Sequence, residues 1–253
     1  MEGRIKFLGT AGARYVMATQ LRSSAGTLIE LNGKRIILDP GPGTLVRMAK
    51  SRPRINPSSI DAVILTHLHL DHTGDANAVL DAMTEGAKKN HGKLFAPSEC
   101  IEGEDRVICN YLLKAVEVVK LQPQRTYSVD GLEFSTSVPH DHGVETYGIK
   151  FSHQGKKICF MVDTFLSHRV KEGYRDCDIL IMNVVLVDCI EGIKHLCVDN
   201  VREVARDLRP KEIIMTHFGM GMLRVKPWEL AERLSDETGI RVRAASDGME
   251  IKL

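Results

Sequence analysis

The amino-acid sequence predicts an α/β fold. Short apolar runs that are typical of buried strands alternate with segments in which apolar residues recur at helical spacing. The chain has 253 residues, of which 43% are hydrophobic and 26% charged, so it can bury a sizeable core and is not a disordered tail. This length allows either one large domain or two fused halves.

The first half combines strands, a hairpin and a histidine-rich segment. Asn32-Gly33 separates two apolar runs and suits the tight turn of a β-hairpin. The unbroken apolar run at 62–65 indicates a strand buried on both faces. The predicted elements are a strand at 5–8, the hairpin at 27–38, a helix at 45–49, the strand at 62–65 and a helix at 76–87.

The second half repeats this alternation. Asp199 is the predicted N-cap of one helix, and a last helix opens at Pro227 and closes at Gly239. The remaining predicted elements are strands at 132–138, 147–151, 158–162, 179–182, 213–215 and 249–253, with the helix behind Asp199 covering 201–208.

Both halves place a Thr-His pair at the end of a buried strand, as Thr66-His67 and as Thr216-His217. This repeated pair predicts a single domain (1–253) of two pseudo-equivalent halves, about 1–121 and 122–253. Four matching residues do not decide between a duplication and a chance match.

Charge and cysteine content exclude several classes of protein. With 34 basic and 33 acidic residues, the net charge of +1 disfavours a dedicated nucleic-acid binder. The most apolar stretch, 179–187, is far shorter than the roughly 18 residues of a membrane helix. The start of the chain lacks the apolar core of a signal peptide, and no cysteines form a C-x-x-C pair. We therefore expect a cytoplasmic protein without membrane association, whose cysteines are mostly small buried side chains.

The sharpest functional signal is the segment from His67 to His72, with the sequence His-Leu-His-Leu-Asp-His. If the strand extends into it, His67 and His69 point to one face while the leucines point to the core. Asp71 and His72 follow a turn and can be aimed at a second point nearby. Imidazole and carboxylate groups are ligands for zinc and similar cations, so this loop predicts a two-metal site.

Further ligand candidates stand just past the ends of other predicted strands. His140 follows the strand at 132–138, Asp163 follows 158–162, and His217 follows 213–215. Because a carboxylate has two oxygens, Asp163 can bridge two cations, whereas a neutral imidazole cannot.

These residues together resemble the metallo-β-lactamase superfamily along nearly the whole chain. The resemblance rests on the H-x-H-x-D-H motif at 67–72 with Asp75 behind it, the isolated His140, Asp163 and His217, and an Asp-containing loop at Leu38-Asp39-Pro40-Gly41. It implies a four-layer αβ/βα sandwich with the metals at one edge between the halves. It also implies that His67, His69 and His140 hold one metal, that Asp71, His72 and His217 hold the other, and that Asp163 bridges them.

Within the superfamily, the complete seven-ligand set, with histidine in every imidazole position and no cysteine ligand, is most similar to ribonuclease Z and the cyclic-phosphate diesterases. The segment that begins at His195 is similar to one that precedes their last ligand, which makes His195 the expected proton donor, with Asp71 the other catalytic candidate. Two departures limit the match. Met182-Asn183 replaces a His-Glu pair of ribonuclease Z, and the short chain between His140 and Asp163 leaves no room for a tRNA-gripping arm.

The resemblance predicts a hydrolase in which two divalent cations activate a shared water to hydroxide. Zinc is the expected metal, and manganese or iron suit the same ligands. The favoured substrate is a small-molecule or short-nucleotide phosphodiester; tRNA is not expected, and a homodimer is possible by analogy. The alternatives are a thioester or lactone hydrolase and a non-enzymatic metal-binding scaffold.

Four residues near the motif have open roles. Arg14 and Arg22 either reach a substrate phosphate or serve the fold, and Asp39 either bonds a metal-ligating histidine or caps a turn. His142 either lines the cleft or lies in a solvated loop.

Overall fold

The computed structural model describes residues 3–24 and 26–253. Two β-sheets pack face to face, and helices cover the outer face of each. This arrangement confirms the predicted four-layer αβ/βα sandwich.

The first sheet has seven strands in the order β15-β1-β2-β3-β4-β5-β6. Its strands are β1 (Arg4–Phe7), β2 (Thr27–Leu31), β3 (Lys34–Leu38), β4 (Ala62–Ile64), β5 (Lys93–Ala96), β6 (Glu117–Lys120) and β15 (Glu250–Lys252). From β3 to β6 neighbouring strands are parallel. All strands of this sheet except β15 come from the first half of the chain.

The second sheet has the order β14-β13-β11-β10-β9-β8-β7, with β12 attached to β11. Its strands are β7 (Thr126–Val129), β8 (Leu132–Pro139), β9 (Tyr147–His153), β10 (Lys156–Met161), β11 (Ile179–Leu186), β12 (Leu196–Cys197), β13 (Glu212–Thr216) and β14 (Arg241–Ala244). From β10 to β14 the strands along this order are parallel. The chain between His140 and Asp163 forms a short loop followed by the antiparallel pair β9 and β10.

Ten α-helices complete the described part of the fold. They are α1 (Ala13–Thr19), α2 (Thr44–Lys50), α3 (Leu70–Thr73), α4 (Ala76–Met83), α5 (Ser98–Ile101), α6 (Asn110–Leu113), α7 (His168–Glu172), α8 (Val198–Leu208), α9 (Met220–Arg224) and α10 (Pro227–Thr238).

Three apolar clusters hold the layers together. The central cluster lies between the sheets and joins, for example, Ile29 and Phe95 of the first sheet to Phe134 and Ile214 of the second. A second cluster packs α8 and α10 on the outer face of the second sheet, and a third packs α2 and α4 on the first. Burial of apolar surface is the main favourable term in folding, so these clusters fix the two sheets against each other.

Local sequence signals account for several element boundaries. The Asn32-Gly33 hairpin forms in the predicted register, with Asn32 and Gly33 both at positive φ. Helix α10 begins at Pro227 and ends at Gly239, which adopts the left-handed conformation with φ of 68°. The predicted N-cap Asp199 is wrong: α8 begins at Val198, and its N-cap Cys197 donates its backbone N–H to the Asn200 side chain.

The cysteines also differ from expectation. Cys159 pairs with Cys177, and Cys189 pairs with Cys197, so these four residues form disulfides instead of separate small hydrophobic side chains. Their Cα atoms lie 6.1 and 5.1 Å apart, within the span of a disulfide. Cys100 and Cys109 are free thiols.

Within residues 3–24 and 26–253, no helix combines the length and apolar character needed to cross a membrane.

Candidate metal centre

The histidine-rich loop follows β4 and is held from behind by Asp39, at the end of the neighbouring parallel strand β3. The Asp39 carboxylate accepts hydrogen bonds from the backbone N–H and the hydroxyl of Thr66, both at 2.7 Å. It also lies 2.8 Å from Nδ1 of His72. This contact leaves Nε2 of His72 facing the interior of the site, so Asp39 orients a ligand candidate as well as shaping the turn.

Asp163, which follows β10, lies at the centre of the site. Its Oδ2 atom is 3.4 Å from Nε2 of His217, 3.5 Å from Nε2 of His72, 3.6 Å from Nε2 of His142 and 3.7 Å from Nδ1 of His195. Its Oδ1 atom accepts a 2.8 Å hydrogen bond from the Asn183 amide of β11. One carboxylate oxygen therefore faces imidazole groups on several sides while the other is anchored.

The ligand candidates form two groups around Asp163. In one, His67, His69 and His142 converge, with Nε2 of His142 lying 3.1 Å from Nδ1 of His69. In the other, Asp71, His72 and His217 converge. There Nε2 of His217 is 3.3 Å from Nε2 of His72 and 3.4 Å from the Asp71 carboxylate.

The structure corrects one predicted ligand. His140 does not join the first group: its Nε2 lies 2.8 Å from the Tyr174 hydroxyl, and its Nδ1 lies 3.3 Å from the backbone oxygen of Asp163. His142 occupies the expected place instead. Its Nδ1 lies 2.9 Å from the backbone oxygen of Lys194, a contact that leaves Nε2 free to face Asp163.

Electrostatics differ between the two groups. Burial lowers the pKa of His67 well below its usual value and also lowers the pKa of His69 and of His142. Burial opposes a charge on His217 as well, but Asp163 and Asp71 outweigh it and raise the pKa of His217 to about 9. Neutral imidazoles in the first group are already in the state that ligates a metal.

Opposite charges in the second group offset one another in part. Burial opposes charge on both His72 and Asp163. The carboxylates of Asp39 and Asp71 nevertheless raise the pKa of His72, and His217 and His72 hold the pKa of Asp163 well below its usual value. Here the protons of His72 and His217 offset part of the negative charge of the carboxylates, a role that a divalent cation can take over.

The donor atoms suit metal ions. Nε2 of His67 is buried and lacks a hydrogen-bond partner in the described part of the chain, which is unfavourable unless another group occupies the space before it. In a tetrahedral zinc site with Zn–N bonds of 2.0–2.1 Å, two nitrogens lie about 3.3 Å apart. His72 and His217 show that separation.

A cleft of about 520 Å³ opens onto this centre. It is lined by Ala13, Arg14, Met17, Ala18, His69, Leu70, Asp71, Asp163 and His195. Burial lowers the pKa of His195, whose Nδ1 is buried without a hydrogen-bond partner among the described residues. Both catalytic candidates, Asp71 and His195, therefore border one cleft.

The structure distinguishes the roles of Arg14 and Arg22. Arg22 donates to the Thr10 hydroxyl at 2.9 Å and to the Ala245 carbonyl at 3.0 Å, and it lies over the Phe218 ring. It thus serves the fold, whereas Arg14 borders the cleft.

Sequence reasoning did not identify Asn183 or Thr66. The departure at Met182-Asn183 was an available signal, because a polar residue stands there in an otherwise apolar strand. His142 stands two residues after His140, and spacing alone does not choose between them.

Comparisons with known proteins agree with the fold. A family model described as a β-lactamase superfamily domain matches residues 34–218. An uncharacterised protein of Methanocaldococcus jannaschii is 30% identical, over 100% of this chain and 96% of its own. Ribonuclease Z of Methanopyrus kandleri is 23% identical, over 98% and 97%. The crystal structure of the metallo-β-lactamase fold protein YhfI from Bacillus subtilis superposes with a TM-score of 0.83 at 16% identity, over 100% of both chains. The chain belongs to the metallo-β-lactamase superfamily and is a hydrolase of that superfamily.

Proposed function

We propose that this protein is a dinuclear metal-dependent phosphodiesterase. The observation that carries the proposal is the position of Asp163. Its Oδ2 atom lies 3.6 Å from Nε2 of His142, which belongs to the first group, and 3.5 and 3.4 Å from Nε2 of His72 and of His217, which belong to the second. A carboxylate in that position can be shared by two cations.

His67, His69 and His142 would hold one cation and Asp71, His72 and His217 the other, with Asp163 contributing to both. Zinc is the metal we expect from these ligands, and manganese or iron are alternatives. Two such cations lower the pKa of water and neutralise charge on phosphate oxygens. Asp39 and Asn183 keep His72 and Asp163 in place through their hydrogen bonds.

His195 is placed to protonate the leaving group. Its side chain borders the cleft and lies 3.7 Å from Asp163, so a substrate bound beside the bridging carboxylate comes within its reach. An alkoxide leaves poorly without a proton, and histidine is the usual donor near neutral pH.

The substrate we propose is a small-molecule or short-nucleotide phosphodiester. The similarity to ribonuclease Z favours a phosphodiester. Between His140 and Asp163 the chain forms only a short loop that carries His142, then β9, a turn and β10, so it has no arm there that could hold a tRNA.

Metal analysis combined with a substrate panel tests the proposal. We expect two equivalents of metal per chain and turnover of bis-p-nitrophenyl phosphate or a cyclic nucleotide. The variant Asp163→Asn should lose metal and activity, and the exposed Asp199→Asn should lose neither. Turnover of lactones or S-acyl glutathione without phosphodiester turnover would favour acyl hydrolysis. One metal per chain, or no turnover of any panel member, would contradict the proposal.

The role of His195 has its own test. His195→Ala should slow hydrolysis of a diester with an alkoxide leaving group far more than that of bis-p-nitrophenyl phosphate, whose leaving group needs little protonation. Its metal content should equal that of the wild type. Loss of metal would instead make His195 a ligand, since it lies close enough to His142 and Asp163 to share a cation with them.

A further inference from the structure

The start of α1 is fixed against the metal centre. Gly12 donates its backbone N–H to the Phe218 carbonyl at 3.0 Å, and Phe218 donates to the Thr10 carbonyl at 2.8 Å. A side-chain carbon on Gly12 would collide with the backbone oxygen of His217. The helix that carries Arg14 therefore begins directly beside the ligand candidate His217, and backbone contacts define its position relative to that residue.

Arg14 brings a permanent positive charge to the cleft. The other ionisable side chains that line the cleft are His69, Asp71, Asp163 and His195. The Arg14 side chain is exposed and forms no hydrogen bond or ion pair with any residue in 3–24 or 26–253. A guanidinium presents a fork of N–H donors that matches phosphate oxygens. Its charge is thus available to a ligand, unlike that of Arg22.

The rest of the wall beside Arg14 is apolar. Met17 and Ala18 follow on the same helix, and Leu70, whose surface is 65% exposed, contributes from α3. The volume of about 520 Å³ lies in the range of small-molecule sites. Proteins that follow a polynucleotide backbone line their grooves with several cations. A single arginine beside an apolar wall suits one phosphodiester group with an organic substituent.

We propose that Arg14 is a specificity-determining residue of this cleft. It binds a non-bridging oxygen of the phosphodiester, and Met17, Ala18 and Leu70 hold one esterified aromatic or alkyl group. The inference rests on the proposed function, because it assumes that the reacting phosphorus lies at the metal centre. A phosphodiester carries a charge that Arg14 can recognise, and an uncharged carboxylic ester does not.

Two diesters and two variants of the metal-loaded protein test this assignment. Bis-p-nitrophenyl phosphate and methyl p-nitrophenyl phosphate share a charge and a leaving group but differ in the second substituent. Arg14→Gln should lower kcat/KM about 10- to 100-fold on both diesters, since a hydrogen bond to a charged group is lost. Arg14→Lys should recover part of the lost kcat/KM. Met17→Ser should lower kcat/KM on the diaryl substrate only.

The control is Arg106→Gln, which changes an exposed arginine outside the residues that line the cleft. Each variant should keep the metal content of the wild type, and Arg14→Gln should also weaken inhibition by inorganic phosphate. If the wild type turns over both diesters and Arg14→Gln stays within twofold on both, the inference is wrong and the proposed function stands. If the wild type hydrolyses a cyclic nucleotide but neither diester, the inference is wrong and the proposed function stands. If it turns over neither diester and no cyclic nucleotide, both fall.

Discussion

Single residues behind the ligands decide how the candidate centre is held. Asp39 joins the Thr66 backbone, the Thr66 hydroxyl and His72 through one carboxylate. Asn183 holds Asp163 by one hydrogen bond from its side-chain amide, within the second sheet. Hydrogen bonds of this kind orient metal ligands. Their loss commonly lowers metal affinity about 10- to 100-fold.

Asn183→Leu should therefore weaken metal binding. The leucine removes the amide that donates to Oδ1 of Asp163 and leaves that buried oxygen without its partner. We expect the metal Kd to rise about 10- to 100-fold, measured by competition with a chromophoric chelator. Met182→Leu is the matched control, because Met182 is the next residue in β11 and its side chain packs in the apolar cluster on the outer face of the second sheet. Equal affinity of Asn183→Leu and wild type would contradict this role.

At the scale of the element, strand β8 explains why the sequence prediction chose the wrong histidine. In β8 the pairing register with β9 shifts between Thr136 and Pro139, which is a β-bulge. Leu132 and Phe134 face the core between the sheets, but Val138 packs in the outer cluster. The bulge thus reverses the alternation, and His140 follows Val138 toward Tyr174.

Two substitutions separate the histidines of this segment. His142→Ala should lose one of the two bound metals, because it removes an imidazole from the group with His67 and His69. His140→Gln should keep both metals, since an amide can still bond the Tyr174 hydroxyl. Metal content by mass spectrometry of the purified variants measures both effects. The reverse pattern would restore His140 as the ligand.

Other elements show which local signals suffice. The hairpin of β2 and β3 and the ends of α10 follow from Asn-Gly, Pro and Gly, which restrict the backbone by themselves. The start of α8 does not follow from a single such residue. Its N-cap Cys197 and Asn200 form a capping box, in which each side chain accepts a hydrogen bond from the other residue's backbone. The apolar pattern of β8 likewise does not predict its bulge. The bulge is supported by a hydrogen bond from the Gly148 backbone N–H to the Ser137 hydroxyl.

At the scale of the whole molecule, the site joins the two sheets. Asp39 and the histidine-rich loop follow β3 and β4 of the first sheet, and Asp163 and His217 follow β10 and β13 of the second. Parallel strands bring their carboxyl ends to one edge of a sheet, so the convergence of these residues could be predicted from where they stand in the sequence. The contact of His142 with His69 could not, because it depends on how the two sheets pack. The contact of Asn183 with Asp163 depends on the alignment of β10 with β11 inside the second sheet.

Because the ligand candidates come from both sheets, removal of bound metal should lower the stability of the entire fold. A ligand that binds only the native state adds about 2.7 kcal/mol at 100 times its Kd, and for a chain of this size we expect a Tm decrease of about 5 to 10 °C. Calorimetry before and after treatment with EDTA measures the change, and added zinc should reverse it. In Asp163→Asn, which lacks the shared carboxylate, the shift should be largely absent. A wild-type Tm that does not respond to EDTA, in protein shown to have lost its metal, would mean that the cations do not link the two sheets.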